Sequence, residues 1–444
     1  MCYNHFSEEC DTVKRLLCIC ICLLAVSLLF SGCNMRTLEE LYCLPKRSES
    51  DNNLQSVIDE AMDDLEYCAP QSGDNRLVVQ SADLDGDGVD EYLLFAKDNS
   101  EKPLKLLIFC QLASGYVLMD TIEGYGFGYD FIAYQQLDDK PGVEIVVGRL
   151  VSEEVVRSVS VYRFSSGFSR LMLSAAYSRM SVTDLDGDGV SELYLLNQKG
   201  SESNRGTLLV YSYFDDELQR RSELPISSSA AGYKQIVASP LADGTKALFV
   251  TCEQNGELVT DVFAAENGEY RTIADGLISE SLYHNFVYPK DMNGDGVLEL
   301  ARLIPMQTLS DKPVRYFVQW YQLRRDGGET ITVQTYHNFQ DNWYLELDTA
   351  LCKQMYVERT KEQCVFYIGQ ENGDALQTLF TISALKDADR ETLSQIPGRI
   401  ILYSGDSVIY VADLMPEAKE YGITQAYLLS HFSSIRVDLN IQED

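Results

Sequence analysis

The stretch Asp83–Glu91 reads DLDGDGVDE; it returns as DLDGDGVSE over Asp184–Glu192 and as DMNGDGVLE over Asp291–Glu299. Each copy sets an oxygen-bearing side chain at loop positions 1, 3 and 5, a glycine at 6, a valine carbonyl at 7 and a glutamate at 9. A hard divalent cation such as Ca²⁺ takes such ligands. The expected ligands are Asp83, Asp85, Asp87, Val89 and Glu91; Asp184, Asp186, Asp188, Val190 and Glu192; and Asp291, Asn293, Asp295, Val297 and Glu299. Glycine at position 6 permits the left-handed turn that folds the carboxylates around one ion. The chain continues as EYLLFA, ELYLLN or ELARLI, apolar runs of β type, and Leu94, Leu195 and Arg302 stand where an EF-hand would need its bidentate glutamate. The loops are therefore read as hairpin loops between strands.

Two degenerate relatives follow the same frame, Gln136–Glu144 (QLDDKPGVE) and Ser239–Ala247 (SPLADGTKA), each leading into a strand. The five loops start at residues 83, 136, 184, 239 and 291, a spacing near 50 residues. Four strands and their turns occupy about that length in a propeller blade. The segments between loops, such as LKLLIFCQ, VVRSVSVYRF and VRYFVQWYQL, are too short and too rich in β-branched and aromatic residues for helices. The fold expected is mainly β, a five-bladed β-propeller over residues 75–337, with a solenoid of the same units as the alternative. In loop two Lys140 replaces the position-5 aspartate, and in loop four Leu241 and Ala247 replace two carboxylates. Those hairpins are expected to persist without an ion.

The three intact loops and their strands resemble the FG-GAP or VCBS repeats of integrin-type propellers and bacterial surface proteins. That resemblance covers the repeat region, and it implies a Ca²⁺ held between the first two strands of a blade. The Phe-Gly and Gly-Ala-Pro elements that name the family are not recognisable here, so the likeness is to the bacterial calcium-blade variety.

The first residues carry a different signal. Lys14 and Arg15 precede an apolar run, Leu16–Phe30, which is shorter than a spanning helix requires and ends in Ser31, Gly32 and Cys33. FSGC resembles the lipobox of bacterial lipoproteins, which implies a signal peptide over 1–32, lipidation at Cys33 and a lipid-anchored linker over 33–51 on the extracytoplasmic face of the cell membrane. A helix is expected over 52–74, with Leu54, Ile58 and Leu65 on its apolar face. A small α+β domain is expected over 338–444. Of 12 cysteines, Cys43, Cys68, Cys110, Cys252, Cys352 and Cys364 follow the anchor without zinc-site spacing. Local disulfides Cys43–Cys68 and Cys352–Cys364, or buried thiols, both fit.

Sixty-eight acidic against 36 basic residues give a charge of −32, which repels phosphate backbones, so no nucleic acid partner is expected. His284, His337 and His431 form no zinc-binding pattern, and no Gly-x-Ser-x-Gly elbow occurs. Gly124–Phe131, GYGFGYDF, and Trp320 with Tyr321 offer aromatics either to a sugar or to packing. The functional expectation is a calcium-stabilised binding or scaffold module for a glycan or protein partner, more a platform than an enzyme. The alternatives are a cell-envelope hydrolase acting on polysaccharide and a purely structural role.

Overall fold

A computed structural model of the chain describes residues 49–151, 157–198, 205–266, 268–307, 314–369 and 376–435. The segment around Cys33, and Cys43, lie outside them. Among the described residues no helix is long and apolar enough to cross a membrane.

The described chain is mainly β and builds six antiparallel sheets of four or five strands. Sheet one holds Val79–Ala82, Glu91–Lys97, Leu104–Leu112 and Gly115–Gly124, with the short Glu66–Tyr67 also paired to Glu91–Lys97. Sheet two is the meander Gly128–Gln135, Glu144–Leu150, Arg157–Ser165 and Phe168–Tyr177. Sheet three is Arg179–Thr183, Glu192–Gln198, Gly206–Phe214 and Glu217–Pro225; sheet four is Tyr233–Pro240, Lys246–Gln254, Glu257–Glu266 and Glu269–Ser279. The second and third strands of the meanders are largely buried on both faces and carry apolar runs there, such as Leu93–Ala96 and Leu106–Phe109, with a few buried polar side chains such as Arg163 and Asp261 among them. Fourth strands alternate between buried and exposed, as Phe168–Tyr177 does, since one face meets solvent.

Consecutive sheets share buried clusters. Leu93, Phe95 and Ile108 of sheet one pack with Tyr129, Ile145 and Phe164 of sheet two. Val146, Val159 and Val161 meet Leu193 and Leu195 of sheet three, whose Tyr194, Leu196 and Leu208 meet Leu248, Val250 and Phe263 of sheet four. Phe249 and Val262 then meet Leu300, Tyr321 and Leu323 of sheet five. Each such side chain contributes about 1.5–3 kcal/mol on burial, so the core lies in the seams between sheets.

Sheet five departs from the frame of the others. Its loop is preceded by a single bridge, Lys290–Glu299, and its strands are Leu300–Pro305, Tyr316–Leu323, Glu329–Asn338, Trp343–Leu347 and Phe432–Ser434. The residues before that loop include Pro289, which lacks a ladder donor. Two of these strands lie beyond residue 337, where the repeat was expected to end. Sheet six comprises Met355–Arg359, Gln363–Gly369, Leu376–Leu385, Ile409–Leu414 and Arg399–Ser404, and packs Phe366, Phe380 and Ile382 against Phe317, Tyr336 and Trp343 of sheet five. Short helices accompany it, Arg390–Ser394 and Gln425–His431. Near the C-terminal end of the described chain a 3₁₀ segment, Pro416–Tyr421, is parted from the α-helix Gln425–His431 by Gly422 at φ +76°.

By compactness the chain divides into two units, one made of the helix Glu49–Ala61 with Leu112–Val117, the other of the remaining described residues. Within the first, Asn53 Oδ1 accepts from the Tyr116 amide. The helix stops before Leu65, and Asp64 adopts φ +65°. Asp63 and Asp64 oppose the negative end of the helix dipole, and aspartate tolerates the left-handed exit. Cys68, Cys110, Cys252, Cys352 and Cys364 are free thiols, so Cys352 and Cys364 do not pair.

Candidate metal loops

The three intact loops fold by one hydrogen-bond pattern. The position-1 carboxylates Asp83, Asp184 and Asp291 each accept from the amides of Gly86 and Gly88, Gly187 and Gly189, and Gly294 and Gly296, at 2.6–3.2 Å. The position-3 side chain accepts from the position-5 amide, and the position-5 carboxylate from the valine amide at 7. The position-9 glutamates are buried and accept from the amides of Leu84, Leu185 and Met292 at 2.7–3.0 Å. The position-6 glycines have φ between +83° and +92°, which only glycine adopts freely.

This folding turns several carboxylates inward. Oxygens of Asp83, Asp85 and Glu91, and of Asp184, Asp186, Asp188 and Glu192, lie within 4.8 Å of one another. Burial pushes Glu91 and Glu192 up to about 7, against the pull of the Leu84 and Leu185 amides, with neighbouring aspartates adding to the rise. Burial likewise raises Glu299. Such oxygen sets fit a divalent cation, and a bound cation would offset the repulsion that adds to this rise.

The residue facing each glutamate from the next strand differs from loop to loop. One step beyond the Tyr92–Phe109 pair, Glu91 faces Cys110; one step beyond Leu193–Tyr211, Glu192 faces Ser212. Both are small. In loop two Glu144 faces Arg163, whose Nη1 donates to Asp138 Oδ2 at 2.5 Å and Glu144 Oε1 at 2.9 Å, while Nη2 reaches the Pro141 carbonyl at 3.2 Å. The guanidinium thus meets the carboxylates of positions 3 and 9. Lys140, which replaces the position-5 aspartate, turns its ammonium out of the loop and donates to Asp216 Oδ1 of sheet three at 2.6 Å. In loop four Ala247 pairs with Ala264, and Leu241 is buried in the seam with sheet five. In loop five Gln322 Nε2 donates to Asp295 Oδ2 and Glu299 Oε1, both at 2.8 Å. The sequence reading missed Arg163 and Gln322; their signal was a polar residue at the strand position facing the loop glutamate.

The five loops also touch in series. A methyl on Gly86 would lie 2.5 Å from Gly142 N, so loops one and two need glycine to approach. Ser191 N donates to Gln136 O, Lys246 Nζ to Asp184 Oδ2, and Leu298 N to Ser239 Oγ. Of the aromatics, Tyr129 is buried in the seam of sheets one and two and Trp320 on one face of sheet five with Leu282, Val287 and Met292, whereas Tyr125 and Phe127 are half-exposed.

No family model and no curated protein sequence matches the chain. Its fold is similar, at low scores, to solved structures that include β-propellers. A rhamnogalacturonan lyase from Bacillus licheniformis aligns at a TM-score of 0.31 and 12% identity, over 71% of this chain and 72% of that one. The β-propeller domain of the Trilobed protease from Pyrococcus furiosus aligns at 0.27 and 12%, over 68% and 93%. A Lactobacillus plantarum protein aligns at 0.28 and 12%, over 70% and 86%.

Proposed function

We propose that the chain is an extracytoplasmic lipoprotein, anchored through Cys33, whose calcium-braced β-propeller serves as a platform for a glycan or protein partner. In this reading the five loop-bearing sheets are blades of FG-GAP or VCBS type, and the sixth sheet belongs to the C-terminal α+β part. The observation that carries it is the recurrence of one cradle, Asp83, Asp85, Asp87 and Glu91, again at Asp184, Asp186, Asp188 and Glu192, and with Asn293 at Asp291, Asp295 and Glu299. The carbonyls of Val89, Val190 and Val297 complete the ligand sets. Ca²⁺ would hold each loop closed. At tenfold above its dissociation constant one ion contributes about 1.4 kcal/mol by mass action.

Melting of the full-length protein in millimolar calcium and in excess chelator tests this reading. Chelation should lower Tm, and the response should vanish when Asp85, Asp186 and Asn293 are all replaced by Ala. Identical melting in both conditions would refute the calcium brace.

A further inference from the structure

A groove of about 800 Å³ lies where sheets five and six meet, away from the metal loops. Its wall carries three cations, Arg315, Arg359 and Lys361, beside Tyr283 and Phe339, and no Asp or Glu among its described lining residues. In a chain of charge −32 such a concentration of positive groups is unusual. Asp341, outside the lining, lies 3.6 Å from Arg359 and is held more closely by Lys386 at 2.7 Å, so it steadies Arg359 without cancelling the groove.

The backbone gives a second, independent sign. Leu282 and Asn285 exchange both of their backbone hydrogen bonds, at 2.9 and 3.0 Å, which makes Tyr283 and His284 the two central residues of a tight turn. Both have positive φ, +53° and +67°. Turns of that geometry favour Asn-Gly, and bulky residues there are outliers. Strain of this kind gathers at ligand sites. The turn holds Tyr283 at the groove with its ring half-exposed and its phenol within electrostatic reach of Arg315 and Arg359. At the floor, His337 is buried, bonds Thr335 through Nε2, and has no partner at Nδ1 among the described residues.

We propose that this groove binds a carboxylate-bearing saccharide, a uronic acid unit of an acidic polysaccharide. Guanidinium groups pair carboxylates in a bidentate fork, and the faces of Tyr283 and Phe339 take the apolar side of a sugar ring. A neutral glycan would desolvate the cations without pairing them. The inference rests on the platform reading above, to which it adds the place and the ligand class.

The test is calorimetry on the full-length protein with hexagalacturonate, its methyl ester, maltohexaose and polyphosphate as probes, at low and high salt in calcium. Hexagalacturonate is expected to bind, at least tenfold more weakly after esterification and more weakly in high salt. The double variant Tyr283→Asn, His284→Gly supplies the residues the turn prefers. It should melt no lower than the parent and bind at least fivefold more weakly, so misfolding cannot account for the loss. Lys361→Ser should weaken binding as well. Equal binding of the ester, no binding of hexagalacturonate, tighter binding of polyphosphate, or indifference to these substitutions would each overturn the proposal. The two readings fail separately: calcium-dependent melting without saccharide binding removes the groove ligand alone, and saccharide binding with chelator-indifferent melting removes the calcium brace alone.

Discussion

Replacing Arg163 by Met should be among the most damaging single changes in sheet two, because Arg163 stands where the intact loops would hold an ion. Asp138 and Glu144 are fully buried, and Arg163 Nη1 reaches both. Removing one member of a buried, hydrogen-bonded charge set costs about 3–5 kcal/mol, since the remaining charges stay desolvated and unpaired. The loss should also depend on pH. Burial already pushes Glu144 up to about 7, with Asp138 adding and Arg163 opposing, so loss of the guanidinium raises it further. The folded variant then binds a proton that the unfolded chain, with an ordinary carboxylate near 4.5, has released. Stability therefore falls as pH rises through that window and returns as pH drops toward 4.5. Urea unfolding followed by far-ultraviolet circular dichroism should show the full loss at about pH 8 and a smaller one at about pH 5. The triple variant Arg163→Met, Asp138→Asn, Glu144→Gln, which removes all three charges, should recover most of the stability. A loss under about 1 kcal/mol at the higher pH, or one unchanged between the two, would refute the view of Arg163 as a built-in cation.

The same logic can be moved to loop three. Ser212→Arg should place a guanidinium against Glu192 and lower the calcium stoichiometry measured by calorimetry by one, with the fold retained; unchanged stoichiometry would count against the equivalence. His337 gives a prediction of opposite sign. Burial pushes it down to about 3 against 6.5 when exposed, so its contribution is intact above 6.5 and is lost as pH falls toward 3, by up to about 5 kcal/mol. A His337→Phe variant should show a flatter fall of Tm between those limits, and an acid limb as steep as the parent's would contradict this. At the N-terminus, Cys33→Ser should abolish incorporation of labelled fatty acid; labelling that persists would remove the lipid anchor.

Much of the architecture was legible because its signals are local. The DxDxDG loops and the runs EYLLFA and ELYLLN announce hairpins, since a strand covered on both faces is mainly apolar and a loop rich in aspartate must turn its carboxylates somewhere. Their spacing near 50 residues marks the repeating sheets. The cross-strand partners were decided only in three dimensions. Arg163 is 19 residues from Glu144, and Gln322 is 23 from Glu299. Which residue faces a glutamate depends on strand register, and a slip of one position would turn the side chain to the other face. The groove at sheets five and six was equally hidden, because Tyr283, Arg315 and Arg359 come from separate segments that meet only in the folded chain. Local residue patterns specify the hairpins, their period and the acidic cradles. Tertiary structure decided which charges the chain answers with its own side chains, because the energy of a buried charge depends on what lies across the seam from it.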